Sequence, residues 1–309
     1  MLLTLGTMNF GRRTAEDESR RIIDRALERG VTWFDTANVY NDGESERIIG
    51  RALAGRRDGV RLATKVGFGL VGGRPEGLAP AAIARAIDAS LERLRADRVD
   101  LYYLHVPDPR VPIEESYAAM VDLVRAGKVG ELGVSNYASW QILELLHLCD
   151  ARGWPRPVVS QVIYNVLIRQ IEVEYLRFAE RYRVHTTVYN ALAGGILTAR
   201  YADKPEATVP GTRFDGNALY VRRYWTERMF AHRAALSAIA AEEGMTLDVL
   251  AYAWLAGRPG VSSILLGPAS VAQLDVAIDA CARKLSPSAL ERIDALQLGF
   301  TGTDARYAR

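Results

Sequence analysis

The chain has 309 residues, 49% hydrophobic and 25% charged, an ordinary globular balance that excludes a disordered protein. Its 39 basic and 37 acidic side chains leave a net charge of +2, too small to mark a nucleic-acid or membrane surface, so a small-molecule partner is expected. Cys149 and Cys281 offer neither a metal-ligand spacing nor a disulfide framework, and the N-terminal MLLTLGTMNFG lacks the basic start and long apolar stretch of a signal peptide. A cytoplasmic protein is expected.

In chain order, short β-rich runs alternate with amphipathic helical stretches. LLTLG (2–6) reads as a strand, and Thr14 before EDESRRIIDRALER with Gly30 just after reads as a helix with an N-cap and a C-terminal glycine. VTWFDT (31–36) is followed by helical ESERIIGRAL, and VRLATKV (60–66) by PAAIARAIDASLERLRAD, whose Pro80 suits a first helical turn. DLYYLHV (100–106), ELGVS (131–135), VVSQVIY (158–164) and HTTVY (185–189) continue the strands, with EESYAAMVDLVRA, SWQILELLHLCDA and EYLRFAERY between them. A long connection rich in Gly, Pro and aromatics covers 190–225 and is expected to cover a bound cofactor. SSILLG (262–267), SVAQLDVAIDACARK, PSALERIDALQL and the tail GFTGTDARYAR close the chain. Several strands are continuous apolar runs, the pattern of parallel strands buried on both faces. Eight strands with intervening helices predict an α/β fold, a (β/α)8 TIM barrel over 1–309 as a single domain, with its active site at the C-terminal strand ends. Such barrels reach roughly 200–250 residues as one unit.

Four polar residues sit where hydrophobic runs end: Asp35 and Tyr40 in WFDTANVY, Lys65 in RLATKV and His105 in DLYYLHVPD. Alone, each has an ordinary explanation, respectively a strand-end turn, a surface aromatic, a solvated charge and a hydrogen-bonded core histidine. Three of them closing successive strands point instead to one site. A phenol with pKa about 10 is a poor acid near neutrality, and a nearby ammonium would lower that value. Lys65 is expected to do so, Asp35 to hold Lys65 charged, and neutral His105 to orient a carbonyl oxygen while Tyr40 donates the proton.

A rival motif is Gly67, Gly69 and Gly72 in GFGLVG, which fits G-x-G-x-x-G after a strand. A dinucleotide-binding unit needs a helix starting within that motif, yet GGRPEGLAP follows with two prolines, so a barrel-rim loop is expected. Tyr-x-x-x-Lys, the spacing of short-chain reductases, is absent as well.

These four residues and their strand-end settings resemble the aldo-keto reductase superfamily over nearly the whole chain. FDTANVY, LATK, YYLHVPD, GVSNYASW, QVIYN, YNALAGGILTARY and RYW are most similar to its aflatoxin aldehyde reductase and succinic semialdehyde reductase branch. The resemblance implies NADPH-dependent hydride transfer to aldehydes and ketones, with Tyr40 as general acid, Lys65 and Asp35 tuning it and His105 orienting the carbonyl. It places Ser135, Asn136 and Gln161 on the nicotinamide carboxamide and Tyr189 against the ring. Asn190, Leu192, Gly194, Gly195 and Arg200 fall along the pyrophosphate, Gly267, Ser270 and Gln273 at the adenosine phosphate, and Met8 and Arg213 beside the cofactor. Met8, Tyr40, His105, Arg223, Trp225 and Arg309 match substrate positions, the two arginines suiting a carboxylate. Ala269 stands where many members have a basic residue and Ala277 where they have asparagine, which leaves NADH use open beside NADPH. Ala191 also replaces a proline. Related enzymes are often dimers, implying a homodimer. Some barrels of this superfamily are cofactor-binding regulatory subunits of channels, and others are specialised sugar or natural-product reductases, so both remain alternative functions.

Overall fold

A computed structural model describes residues 1–71, 73–201 and 208–308. The strands and helices alternate as β1 (Leu2–Gly6), α1 (Glu16–Glu28), β2 (Trp33–Asp35), α2 (Glu44–Ala52) and β3 (Arg61–Val66). A small hairpin of β4 (Leu70–Val71) and β5 (Arg74–Pro75) interrupts the rhythm before α3 (Pro80–Leu94). It resumes with β6 (Val99–Leu104), α4 (Ile113–Arg125), β7 (Val129–Ser135), α5 (Ser139–Arg152), β8 (Val159–Ile163), α6 (Tyr175–Tyr182) and β9 (His185–Tyr189). Three helices follow, α7 (Ala218–Tyr224), α8 (Glu227–Glu242) and α9 (Leu247–Ala256), before β10 (Ser263–Leu266), α10 (Val271–Cys281) and α11 (Pro287–Thr301).

The strands other than β4 and β5 close into a parallel barrel in the order β1-β10-β9-β8-β7-β6-β3-β2. Successive side chains of a strand face opposite sides, so each barrel strand feeds two cores. Ala63, Leu101, Tyr103 and Val159, with Trp33 packed against them, fill the barrel interior. Their strand neighbours, among them Phe34, Leu62, Tyr102 and Leu104, belong to the larger shell between strands and helices. Counting on by two from the interior set reaches Asp35, Lys65, His105 and Gln161 at the C-terminal mouth. That alternation positions the site.

The eight predicted barrel strands are all present, with ends that differ by at most two residues. Three local expectations change. The N-cap position of α1 is Ala15, which has no capping side chain. Thr14 is drawn away because the β1–α1 loop folds back, its hydroxyl approaching the Ala269 carbonyl (3.5 Å), and Glu16, Asp17 and Glu18 meet the helix dipole instead. The 190–225 connection contains a 3-10 turn at Ala193–Gly195 and helix α7, and Ala202 to Ala207 within it lie outside the described residues. Helices α8 and α9 were not expected. Thr226 caps α8 by accepting from the Met229 amide (3.2 Å), whereas seven of the ten α9 residues are buried, erasing the alternation that marks an amphipathic helix.

GFGLVG does not begin a helix. Gly67 and Gly69 occupy a bend leading into β4, while Gly72 lies outside the described residues. Tail residues 302–307 are exposed, and Arg309, a predicted substrate residue, also lies outside them.

Candidate active site

Asp35 and Lys65 form an ion pair at the barrel mouth with exposures of 1% and 0%. Lys65 Nζ donates to Asp35 Oδ1 and to the Thr36 carbonyl (2.6 Å), while Gln161 Nε2 donates to Asp35 Oδ2 (2.9 Å). Both carboxylate oxygens are therefore occupied, which a buried charge requires. Burial pushes the Asp35 carboxyl up and the Lys65 ammonium down, and the charge of each opposes the shift of the other.

Tyr40 sits in the turn after β2, which is pinned by Asn41: its side-chain amide donates to the carbonyls of Met8 (3.2 Å) and Phe10 (2.5 Å). Lys65 Nζ lies 5.2 Å from the Tyr40 ring centroid and 5.6 Å from that of Tyr103. The phenol pKa is raised, first by burial and then by the Asp35 carboxylate, with Arg213 acting weakly the other way. This departs from the expected lowering by Lys65. The reason is burial: desolvation of the phenol is the largest influence, and the Asp35 carboxylate adds to it.

His105 stands across from Tyr40, the rings edge to face with centroids 6.0 Å apart, and Phe68 packs against its other side at 5.1 Å. Its amide donates to Val66 O (2.8 Å) and its carbonyl accepts from Asn136 Nδ2 (3.0 Å), fixing the end of β6 between β3 and β7. Burial, helped by the Lys65 charge, holds the imidazole well below its ordinary pKa and therefore neutral. Its Nδ1 is buried without a partner among the described residues.

The expected nicotinamide residues join this network. Ser135 Oγ donates to the Gln161 carbonyl (3.0 Å), and Asn136, held at φ +63°, places its Oδ1 to accept from Tyr189 OH (2.7 Å). Burial pushes the Tyr189 phenol up to about 12, and the Arg223 guanidinium beside its hydroxyl opposes that. Asn190 Nδ2 donates to Tyr224 OH (2.7 Å) and its Oδ1 accepts from the Gly194 amide (2.8 Å), tying the 3-10 turn to α7. Gly194 has φ +72°, and a Cβ there would lie 2.8 Å from the Tyr220 ring, so no other residue fits. Gly195 and half-buried Leu192 complete the turn, and Arg200 is exposed.

A second group lies between the ends of β1 and β10. Arg213 donates to Asn9 Oδ1 (2.8 Å) and to Met8 Sδ (3.0 Å), and Asn9 Nδ2 donates in turn to the carbonyls of Gly267 (3.1 Å) and Pro268 (3.3 Å). Arg13 donates to the Thr212 carbonyl (3.0 Å), its pKa lowered to about 10 by burial and by Arg213 and Arg12. None of these three cations pairs with a carboxylate among the described residues. Gly267 borders open space. Ser270 caps α10 by accepting from the Gln273 amide (3.3 Å), and Gln273 Oε1 accepts from Ala269 N (2.8 Å). Ala277 is buried within the core, at 2% exposure.

Of the substrate candidates, Met8 is 40% exposed and Arg223 approaches Tyr189, so both adjoin the network. Trp225 packs among Phe214, Tyr201 and Phe230 at 4.7, 5.4 and 5.3 Å, in the aromatic cluster that anchors the connection after β9. Among the described residues no His, Cys, Asp and Glu side chains gather as a metal site would require, and no helix is long and apolar enough to cross a membrane.

The family model described as the Aldo/keto reductase family matches residues 2–298. The chain belongs to the aldo/keto reductase family. An aflatoxin B1 aldehyde reductase member 2 of Mus musculus is 36% identical over 308 residues, covering 94% of this chain and 83% of that protein. A probable voltage-gated potassium channel subunit beta of Arabidopsis thaliana is 32% identical, with 93% of this chain and 89% of that one covered. Among solved structures, a glycerol dehydrogenase of Gluconobacter oxydans superposes with a TM-score of 0.80 at 27% identity, covering 99% of this chain and 94% of that one. This aldo/keto reductase is thus an oxidoreductase acting on carbonyl compounds, of a family that uses nicotinamide cofactors.

Several residues of this reductase's site escaped the sequence reading. Behind Lys65, buried Glu46 accepts from Thr64 Oγ1 (2.6 Å) and from Arg93 Nε (2.6 Å), and its charge supports the ammonium. Nothing local marks it. Tyr103 could have been found by counting two back from His105, and the adjacent pair Arg12-Arg13 just beyond a strand end was a visible cationic signal. Phe68 and Asn9 are visible only once the loops are folded.

Proposed function

We propose that this reductase converts aldehydes or ketones to alcohols with NADPH, Tyr40 donating the proton to the carbonyl oxygen. The observation that carries this reading is the buried Asp35–Lys65 pair lying against Tyr40, with neutral His105 facing the same phenol. When bound, reduced nicotinamide supplies hydride to the carbonyl carbon. Tyr40 holds its proton throughout the neutral range because its pKa is raised, and a forming alkoxide is basic enough to take it. As negative charge then grows on the phenol, Lys65 is the nearby cation that stabilises it, while Asp35 and Gln161 keep Lys65 in place. His105, neutral, orients the carbonyl oxygen by hydrogen bonding rather than by charge.

The chemistry of the donor set fits a nucleotide of this kind. Arg12, Arg13 and Arg213 repel one another without a carboxylate among the described residues, an arrangement that an anionic phosphate group relieves. Ala269 brings no charge, but Thr14 meets its carbonyl, and its chain neighbour Arg13 is the residue we assign to the phosphate end. Ser135, Asn136 and Gln161 would hold the carboxamide, with Tyr189 against the ring. Arg223 and the apolar Met8 and Phe68 would receive an aldehyde carrying a carboxylate. Free Cys149 and Cys281 suit a reducing, cytoplasmic setting.

The test is NADPH consumption with 4-nitrobenzaldehyde, followed at the nicotinamide absorbance. Tyr40→Phe should lower turnover by about a hundredfold or more while leaving NADPH affinity within about twofold. Near-normal turnover in that variant refutes the acid assignment. Tight NADPH binding with no consumption in the unaltered protein favours the regulatory-subunit reading, which the similarity to the Arabidopsis protein supports.

A further inference from the structure

A groove of about 700 Å³ runs between α8 and α11, built from residues that the carbonyl chemistry does not use. Helix α8 contributes Arg228, His232, Ala235 and Ile239, and α11 contributes Ala295 and Phe300. Alanines on both facing surfaces leave the channel open, since they cannot fill the space that leucines would. From Arg228 to Ile239 the groove follows three turns of α8, about 16 Å at ~1.5 Å per residue.

Its two ends differ chemically. At one end Arg292 pairs with Glu242, so the charge is satisfied. At the other, Arg228 donates to the Phe300 carbonyl and lies 4.7 Å from that ring's centroid, but it meets no carboxylate among the described residues. One turn further along α8, His232 lines the groove at 6% exposure, its ring 5.0 Å from Phe300, and neither of its nitrogens has a hydrogen-bond partner among the described residues. A buried imidazole with both nitrogens unmatched is a polar group awaiting a partner. Burial, with the charge of Arg169, lowers its pKa to about 4, so it is neutral and offers one N–H and one acceptor.

We propose that this groove is a binding site for a straight-chain aliphatic carboxylate. The carboxylate lies at Arg228, accepting from the guanidinium, with neutral His232 in the wall beside it, and the hydrocarbon chain lies along Ala235, Ala295 and Ile239. The cation selects the head group, the length of the channel suits a chain of roughly a dozen carbons, and the closed Arg292–Glu242 pair leaves the far end to the chain terminus.

Dodecanoate and dodecanol are the probes, titrated calorimetrically into the full chain with and without 4-nitrobenzaldehyde. Dodecanoate should bind saturably at one site with Kd on the order of 10 μM, unaffected by the aldehyde. Arg228→Gln should weaken dodecanoate at least tenfold and dodecanol less than twofold. Ala235→Leu and Ala295→Leu, filling the channel from either wall, should each remove binding of both probes while leaving 4-nitrobenzaldehyde reduction unchanged. The absence of saturable binding, its persistence in both leucine variants, or its displacement by the aldehyde would each overturn the proposal. If neither leucine variant folds, the contrast between acid and alcohol in Arg228→Gln decides alone.

Discussion

Lys65→Met removes the buried ammonium, and proton counting fixes the sign of its effect on stability. Between pH 5 and 9 the unfolded chain carries one proton on these two groups, since a free aspartate titrates near ~3.9 and a free lysine near ~10.4. The folded pair also holds one proton, whichever atom bears it, so the pair gives the unaltered protein no pH-dependent stability in that range. In the variant Asp35 stays 1% exposed with Gln161 as its remaining partner, and burial, the dominant influence, raises its pKa without the lysine to oppose it. The folded state then keeps a proton that the unfolded state releases above ~3.9. Stability gained from a raised carboxyl pKa is complete below the unfolded value and is lost as pH rises toward the folded one, at ~1.4 kcal/mol per unit. From pH 5 to pH 7 the variant should lose stability relative to the unaltered protein, by at most about 2.7 kcal/mol, a little below the ~3–5 kcal/mol typical of breaking one side of a buried pair. Urea unfolding followed by tryptophan fluorescence at pH 5, 6 and 7 measures this. Parallel stability curves for the two proteins, or a variant that gains relative stability with rising pH, would refute the reasoning.

Other outcomes follow from the same geometry. Arg213→Gln removes a charge-assisted contact worth about 1.5–3 kcal/mol and should weaken NADPH binding, read by fluorescence quenching, about ten- to a hundredfold; an unchanged Kd refutes its role. Arg223→Leu should raise KM for a carboxylated aldehyde such as succinic semialdehyde at least tenfold and that for 4-nitrobenzaldehyde less than twofold, and equal effects on both would remove the carboxylate role. Because His105 titrates well below its ordinary 6.5, kcat/KM should show no acid-limb break near that value, and a break there would show that the imidazole is charged in the working enzyme.

Legibility followed periodicity. HTTVY and LLTLG match β9 and β1 to the residue because their ends coincide with changes in composition. Helix α9 escaped because a helix buried almost all round has no polar face to set its period, and α7 because it is a short helix in an irregular connection. Asp35, Lys65 and His105 were visible as polar interruptions of apolar runs. Glu46 was not, since a glutamate in the amphipathic stretch ESERIIGRAL reads as surface, and only the folded α2 shows it fully buried against Thr64 and Arg93. The direction of the Tyr40 shift could not be read either. It depends first on how deeply the phenol is buried and then on the Asp35 charge, and no spacing encodes either.

One alternation accounts for both the fold and the site. In β2, β3, β6 and β8 alternate residues face the barrel interior, from Trp33, Ala63, Leu101 and Val159 on to Asp35, Lys65, Tyr103 and Gln161. Their neighbours Phe34, Leu62, Tyr102 and Val162 build the outer core that holds the barrel shut. A slip of one residue in any strand would turn its polar group into that outer core and its apolar neighbour into the mouth, so the outer core's need for register also fixes the site's geometry. On a surface strand water would screen the pair and leave it worth little. Here the burial of Asp35 and Lys65 excludes water and keeps them bound to one another, and burial of the phenol raises the Tyr40 pKa.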